Sequence, residues 1–266
     1  MDQLLTYETV IRLGCFLGVF VLMAALEAAL PRRARAAGRG RRWPSNLGLV
    51  ALNSIVVRLV FPLTAMTVAM ASEARGIGLL PWLDLPPWAG VVIAVVLLDL
   101  AIYLQHVLFH AVPALWRLHR MHHADLDFDV TTGLRFHPVE IVLSMGLKLM
   151  VVVALGAPPL AVLAFEVLLN ATAMFNHANL RLPTALDRVL RPLLVTPDMH
   201  RVHHSVLPRE TNSNFGFNLA LWDRVFGTYI AQPAAGHTAM TIGIPQFRDP
   251  AELRLDRLLT QPLRDR

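Results

Sequence analysis

Cysteine is almost absent from the 266 residues: Cys15 stands alone, so no intramolecular disulfide forms and a disulfide-stapled secreted domain is excluded. Lysine is equally scarce, with Lys148 the one lysine among 24 basic residues. Charge is thin overall, at 16% of residues, which excludes a strongly charged disordered chain. No repeat with a period of roughly 20–50 residues and no low-complexity tract is present, so solenoid and collagen-like arrays are excluded as well. What is abundant is apolar side chain and histidine: 55% of residues are hydrophobic, mean hydropathy is +0.50, and there are 11 histidines. A chain this apolar and this poor in charge reads as an integral membrane protein.

Four stretches approach the roughly 20 apolar residues that cross a bilayer. The first covers residues 10–30, with Arg12 and Glu27 near its ends. No positive segment precedes it, so it reads as a span and not as a cleaved signal peptide. PRRARAAGRGRRW follows, carrying Arg32, Arg33, Arg35, Arg39, Arg41 and Arg42. A nucleic-acid patch is one reading of these arginines. Between two apolar runs they read better as a cytoplasmic loop, residues 31–43, under the positive-inside rule. Residues 47–72, broken by Arg58, form a second span, and residues 88–109, containing Asp99, a third. The run 139–175 is split at Gly156, Pro158 and Pro159 into a tight hairpin. The expected fold is therefore all-α: an integral membrane helical bundle of about four spans, the last a tight hairpin, with a cytoplasmic helical cap from residues 110–138 and 176–266.

Ten of the 11 histidines fall where these segments meet one membrane face. His106 and His110 form HxxxH at the end of the third span; His119, His122 and His123 form HRMHH; His200, His203 and His204 form HRVHH. Residues at i, i+3 and i+4 share a helix face, so each motif aims several imidazoles at one point. His137 and His177 lie at the two cytoplasmic ends of the hairpin, whereas His237 reads as a solvated loop residue. Imidazole suits zinc, copper, iron or nickel, and so many ligands exceed one ion's needs, which leaves a shared pair of ions of open identity. Isolated haem-ligating histidines at membrane depth would not cluster in this way.

The order HxxxH, HxxHH, HxxHH behind apolar spans resembles the sterol desaturase and fatty acid hydroxylase superfamily of integral membrane di-iron oxygenases. The likeness rests on DLAIYLQHVLFH, WRLHRMHHADLDFDVTTGLRFHPVE, FNHANL and TPDMHRVHHSVLPRETNSNFGFNLALWDRVFGTY. It implies two iron ions held by His106, His110, His119, His122, His123, His200, His203 and His204, with His177 and His137 as further ligands. Some branches carry an HxxxH pair where this chain has only His177 followed by Asn179, so either His137 completes the set or an oxygen ligand or water does. The resemblance further implies O2-dependent hydroxylation or desaturation of a lipid (a sterol, fatty acyl, alkylglycerol or other isoprenoid or acyl lipid) at the bacterial inner membrane. No haem, flavin or dinucleotide motif is present, so the electron donor is a separate ferredoxin-like protein, a cytochrome or a reduced pterin. The implied division is a transmembrane region over 1–98, a catalytic domain over 99–230 and a cytoplasmic tail over 231–266. No nucleic-acid partner is expected.

Asp99 stands seven residues before His106, on the same face of the span, and is expected either to orient the histidines or to pair with Arg58. Lys148, Trp222 and Asp223 read as structural, with Asp223 binding an arginine or capping a turn. Two other classes fit the histidines: a membrane metal-binding or transport protein, and a catalytically idle relative with structural zinc. Transporters place ligands near the bilayer midplane, whereas these gather at one face, which favours the enzyme.

Overall fold

Hydropathy and proline placement account for the helices. The computed structural model describes residues 2–265, with side chains from residue 6 onward. In chain order the helices are α1 (Asp2–Ala29), α2 (Arg39–Val60), α3 (Ala65–Glu73), α4 (Pro87–Ala111), α5 (Pro113–His123), α6 (Pro138–Leu155) and α7 (Pro159–Asn176). Shorter helices follow: α8 (Thr184–Leu190), α9 (Pro197–His203), α10 (Pro208–Thr211), α11 (Leu221–Val225), α12 (Gly236–Ala239) and α13 (Leu255–Thr260). Among the described residues, β structure is limited to isolated bridges such as Pro31 with Leu180. Among the described residues, five helical stretches are long and apolar enough to cross a membrane, with α2 and α3 together making one of them. This matches three spans and a hairpin.

Proline starts α4, α5, α6, α7 and α9, where its missing N–H is one the helix would not use. α2 stops at the extended Phe61 before Pro62, and Thr64 restarts the chain as the cap of α3 by accepting from the Thr67 N–H at 3.2 Å. The hairpin turns on Gly156, whose φ of +61° suits glycine. A Cβ there would also lie 2.5 Å from the Ile77 carbonyl oxygen, so the loop after α3 seats directly on the turn. Inside the bundle, Leu98 and Ile102 of α4 pack with Val152 of α6 and with Ala161, Val162 and Phe165 of α7.

The arginine-rich segment, expected as a loop over residues 31–43, is helical from Arg39 onward and most of its arginines are engaged in pairing. Arg32 pairs with Asp198 at 3.0 Å, Arg33 donates to the Met240 carbonyl at 2.8 Å, and Arg39 pairs with the buried Glu27 at 3.0 Å. Arg42 is fully buried and forks onto Asp125 and Asp129 at 2.6–2.7 Å. The segment is a strap that ties the first two membrane helices to the cap. Residues 231–266 also fold onto the cap: Leu258 of α13 packs on Leu49 and Met121, and Arg117 and Arg120 donate to the carbonyls of Pro262 and Gln261.

Asp99 pairs with neither a histidine nor Arg58, which lies exposed on α2. Its carboxylate accepts from the Trp222 indole at 2.8 Å and the Leu219 N–H at 3.2 Å, so it pins the segment leading into α11 against α4. One helical turn on, Tyr103 meets Thr228 at 2.9 Å and stacks on Phe226. Replacing Asp99 with alanine strands the half-buried Trp222 indole donor and the Leu219 N–H and is expected to destabilise the fold by about 1–3 kcal/mol with metal loading unchanged. Thermal unfolding and metal analysis of the variant check this. Metal loss at an unshifted midpoint would return Asp99 to the histidines.

Candidate metal centre

The junction between α4 and α5 is a single extended residue, Val112, followed by Pro113, and it folds α5 back beside the end of α4. The HxxxH face and the first HxxHH face therefore meet, with His106 and His119 Nε2 atoms 3.1 Å apart and those of His110 and His123 also 3.1 Å apart. Thr196 caps α9 and sets the second HxxHH opposite, bringing His203 Nε2 to 3.0 Å from that of His106. His177 closes α7 and reaches His122 at 3.2 Å and His200 at 3.0 Å. The result is two groups, His106, His110, His119, His123 and His203 in one, and His122, His177, His200 and His204 in the other. They abut, with the His123 and His204 rings stacked at 4.5 Å.

The outer nitrogens show why these rings fit metal ions. The Nδ1 atoms of His106, His203 and His177 each lie 2.7 Å from a backbone carbonyl, of Phe215, Ser213 and Ala173 respectively. His119 Nδ1 lies 2.6 Å from Glu140, and His122 Nδ1 3.2 Å from the Arg135 carbonyl. A carbonyl or carboxylate only accepts, so each Nδ1 carries the proton and each Nε2 of a neutral ring presents a bare lone pair. Between His106 and both His119 and His203, and between His122 and His177, those lone pairs converge at 3.0–3.2 Å with no proton between them, an arrangement that a bound cation relieves. His204 has both ring nitrogens buried without a hydrogen-bond partner among the described residues, and His200 and His123 each have Nδ1 in that state.

Burial, reinforced by neighbouring rings, holds His122, His123, His200, His203 and His204 well below the ordinary imidazole range. Burial brings His177 to about 3 despite its bond to Ala173. All six are neutral, the form that binds metal.

Nine of the ten histidines expected as ligands are thus brought together, and His137 is not. Its Nδ1 accepts from the Val139 N–H at 3.2 Å as the cap of α6, and its Nε2 faces the Leu259 carbonyl at 3.2 Å. One nitrogen caps α6 and the other joins it to the C-terminal segment. Nor does Asn179 act as an oxygen ligand: it bonds the backbone of Arg33 at both ends of its amide, at 3.2 and 2.9 Å. His237 is buried and bonded to Gln232 at 2.9 Å, with Asp198 3.6 Å away, so it is a packed cap residue and not a solvated one. Burial brings it to about 4. Asp223 fills the turn-capping half of its expectation, accepting from the N–H groups of Phe215 and Gly216 at 2.7 and 2.9 Å and so fixing the carbonyl that meets His106.

Two further residues shape the site. Glu140 is three residues on from His137, in the first turn of α6, and its helix N-terminal position favours a carboxylate. Gly133 lets its loop lie against α7, since a Cβ would come within 3.0 Å of His177 Nδ1. Glu140→Gln is expected to weaken metal binding about 10–100-fold by loosening His119. Competition with a chelator measures this, and unchanged affinity would mean that the carboxylate does not orient the ring.

Beneath His106 and His119 a cavity of about 380 Å³ extends into the bundle, walled by Phe16, Ile102, Met145, Leu169 and other apolar residues.

Comparison with known proteins gives a consistent picture. The family model described as fatty acid hydroxylase matches residues 91–228. An ornithine lipid hydroxylase, OlsE, of Rhizobium tropici is 31% identical over 184 residues, 68% of this chain and 54% of that protein. An alkylglycerol monooxygenase of Xenopus tropicalis is 33% identical over 137 residues, covering 50% of this chain and 29% of its own. A cholesterol 25-hydroxylase of Homo sapiens is 28% identical over 141 residues, covering 52% and 50%. The chain thus spans about half or less of the length of these relatives. No solved structure matches it. The matched stretch contains all nine gathered histidines and both cap helices that carry HxxHH, and the chain belongs to the fatty acid hydroxylase family as a membrane protein with a non-haem metal site.

Proposed function

We propose that the protein is a membrane-bound non-haem di-iron oxygenase that hydroxylates or desaturates a lipid C–H bond, using O2 and electrons from a separate donor. The observation that carries this reading is the convergence of nine metal-competent histidines, eight buried and His110 half-buried, at the head of a cavity that opens into the membrane bundle. The names of the relatives, a lipid hydroxylase, a monooxygenase and a sterol hydroxylase, support the reaction class. Two groups of ligands support two ions, and redox chemistry with O2 supports iron over redox-inert zinc. Bound there, iron would supply the activation of O2 needed to attack an unactivated C–H bond.

The protein's own residues do the rest. His106 and His119 reach the cavity and so set which carbon comes closest. Glu140 and the carbonyls of Phe215, Ser213, Ala173 and Arg135 hold five rings in one tautomer. Phe136 stacks on His122 at 4.6 Å and Phe217 lies 5.1 Å from His106, and with Phe215 they keep water from the rings. The basic strap on the side of the cap supports a cytoplasmic face for the site, at a bacterial inner membrane. A division into a transmembrane region over 1–98, a catalytic domain over 99–230 and a C-terminal segment over 231–266 belongs to the same reading. The donor is a ferredoxin-like protein, a cytochrome or a reduced pterin.

The test is expression of the full chain with a matching reductase, followed by metal analysis and mass spectrometry of the host lipids. Iron in the protein and a lipid gaining one oxygen or losing two hydrogens are expected, with both lipid changes abolished by His203→Ala. Zinc at full occupancy with unaltered lipids would identify an idle relative instead.

A further inference from the structure

The cavity has a second, polar end. Glu140, which meets His119, and Lys148 lie eight residues apart on α6, which at about 1.5 Å per residue sets Lys148 about 12 Å farther from the metal centre. There Glu166 of α7 receives both Lys148 and Arg12 of α1, and Arg12 also pairs with Glu8 at 2.7 Å. Arg12, Lys148 and Glu166 all line the cavity. Ionisable groups within spans are costly, and they mark either interior clasps or sites where a polar ligand binds. Here two cations balance two carboxylates, so strong donors and acceptors are offered without net charge.

Besides Glu140 Oε2 at the metal end, the amide oxygens Asn53 Oδ1 and Gln105 Oε1 are buried along the cavity with no donor among the described residues. Their amide nitrogens are already committed, to the Phe136 carbonyl at 2.9 Å and the Ser144 hydroxyl at 3.0 Å. A plain hydrocarbon satisfies none of these groups.

We propose that the cavity takes a neutral, hydroxyl-bearing lipid, an alcohol or glycerol-like polyol, with a hydroxyl lodged among Arg12, Lys148 and Glu166, about 12 Å along α6 beyond Glu140. This rests on the lipid-oxygenase reading above and names its substrate class. A hydroxyl donates to Glu166 while accepting from either cation. An ether cannot donate to Glu166, Asn53 or Gln105, and an ammonium group upsets the charge balance.

The test compares binding of tritiated 1-hexadecanol, hexadecyl methyl ether and hexadecylammonium to the metal-loaded full chain in nanodiscs. The alcohol is expected to bind about ten-fold or more tightly than either competitor, and K148M and E166Q to erase that preference at unchanged metal content. Equal affinities, or a preference that survives both variants, would overturn the proposal and leave the cluster as an interhelical clasp. Should K148M lose its thermal transition, N53L and Q105L leave the ion cluster intact and are expected to reduce the preference, and its full retention in both counts against the site. Oxidised products are scored separately. Alcohol preference without any product removes the oxygenase reading and keeps the site, whereas equal oxidation of alcohol and ether does the reverse.

Discussion

Arg42→Met is expected to cost about 3–5 kcal/mol, because it leaves Asp129 buried without its cation and Asp125 with only Arg135, 3.8 Å away. In the native protein the guanidinium forks onto both oxygens of Asp125 at 2.7 Å and reaches Asp129 at 2.6 Å and Thr132 at 2.9 Å. Burial pushes the Asp125 carboxyl up, but Arg42 and Arg135 outweigh it and the group sits at about 2. Asp125 begins two residues after His123, and the loop it anchors carries Arg135, whose carbonyl holds His122. Loss of Arg42 therefore loosens the cap and the metal centre together. For a chain of this size the penalty corresponds to a fall of about 6–20 °C in the unfolding midpoint, read by circular dichroism in detergent. Arg42→Lys keeps a charge but not the fork, and an intermediate loss is expected. Adding D125N and D129N to R42M is expected to recover part of the loss, since neutral amides tolerate burial better than unpaired carboxylates. A midpoint within about 2 °C of the parent for R42M would refute the clamp.

That clamp also marks where reading the sequence stops. The hairpin of α6 and α7 is legible because hydropathy and the Gly156, Pro158, Pro159 break are local features, and eight histidines are legible because i, i+3, i+4 spacing fixes a helix face. Arg42 is different: its partners lie 83 and 87 residues away, and composition cannot separate a buried arginine from a solvated one. The acidic run Asp125, Asp127, Asp129 carried a signal that pairing with the arginines was needed, since buried carboxylates require a cation. His137 and His177 have equivalent sequence settings, each at a hairpin end. Only the packing of residue 259 against His137 and of His122 against His177 separates a helix cap from a candidate ligand. Asp99 follows the same logic, because its register on α4 is clear while the indole that meets it arrives from 123 residues away.

Splitting the histidines into two groups makes a prediction about stoichiometry that the motifs alone do not. Each HxxHH is divided: His119 and His123 face one group and His122 the other, while His203 faces the first and His200 and His204 the second. If each group holds one ion, H177A/H200A is expected to lower the metal content from about two ions per chain to about one. H106A/H203A should do the same from the other side. Three histidines remain in the first group or two in the second, so the untouched group of each variant keeps its full donor set. Product formation is expected to fall in both by more than the about 10–100-fold that loss of an outer partner costs. Metal analysis by mass spectrometry on protein purified without chelator reads the first quantity and lipid mass spectrometry the second. Loss of both ions together in either variant would mean that the stacked His123 and His204 join the groups into one cooperative site. Retention of both ions in either variant would mean that the rings removed are not ligands, and the two-group assignment would fall.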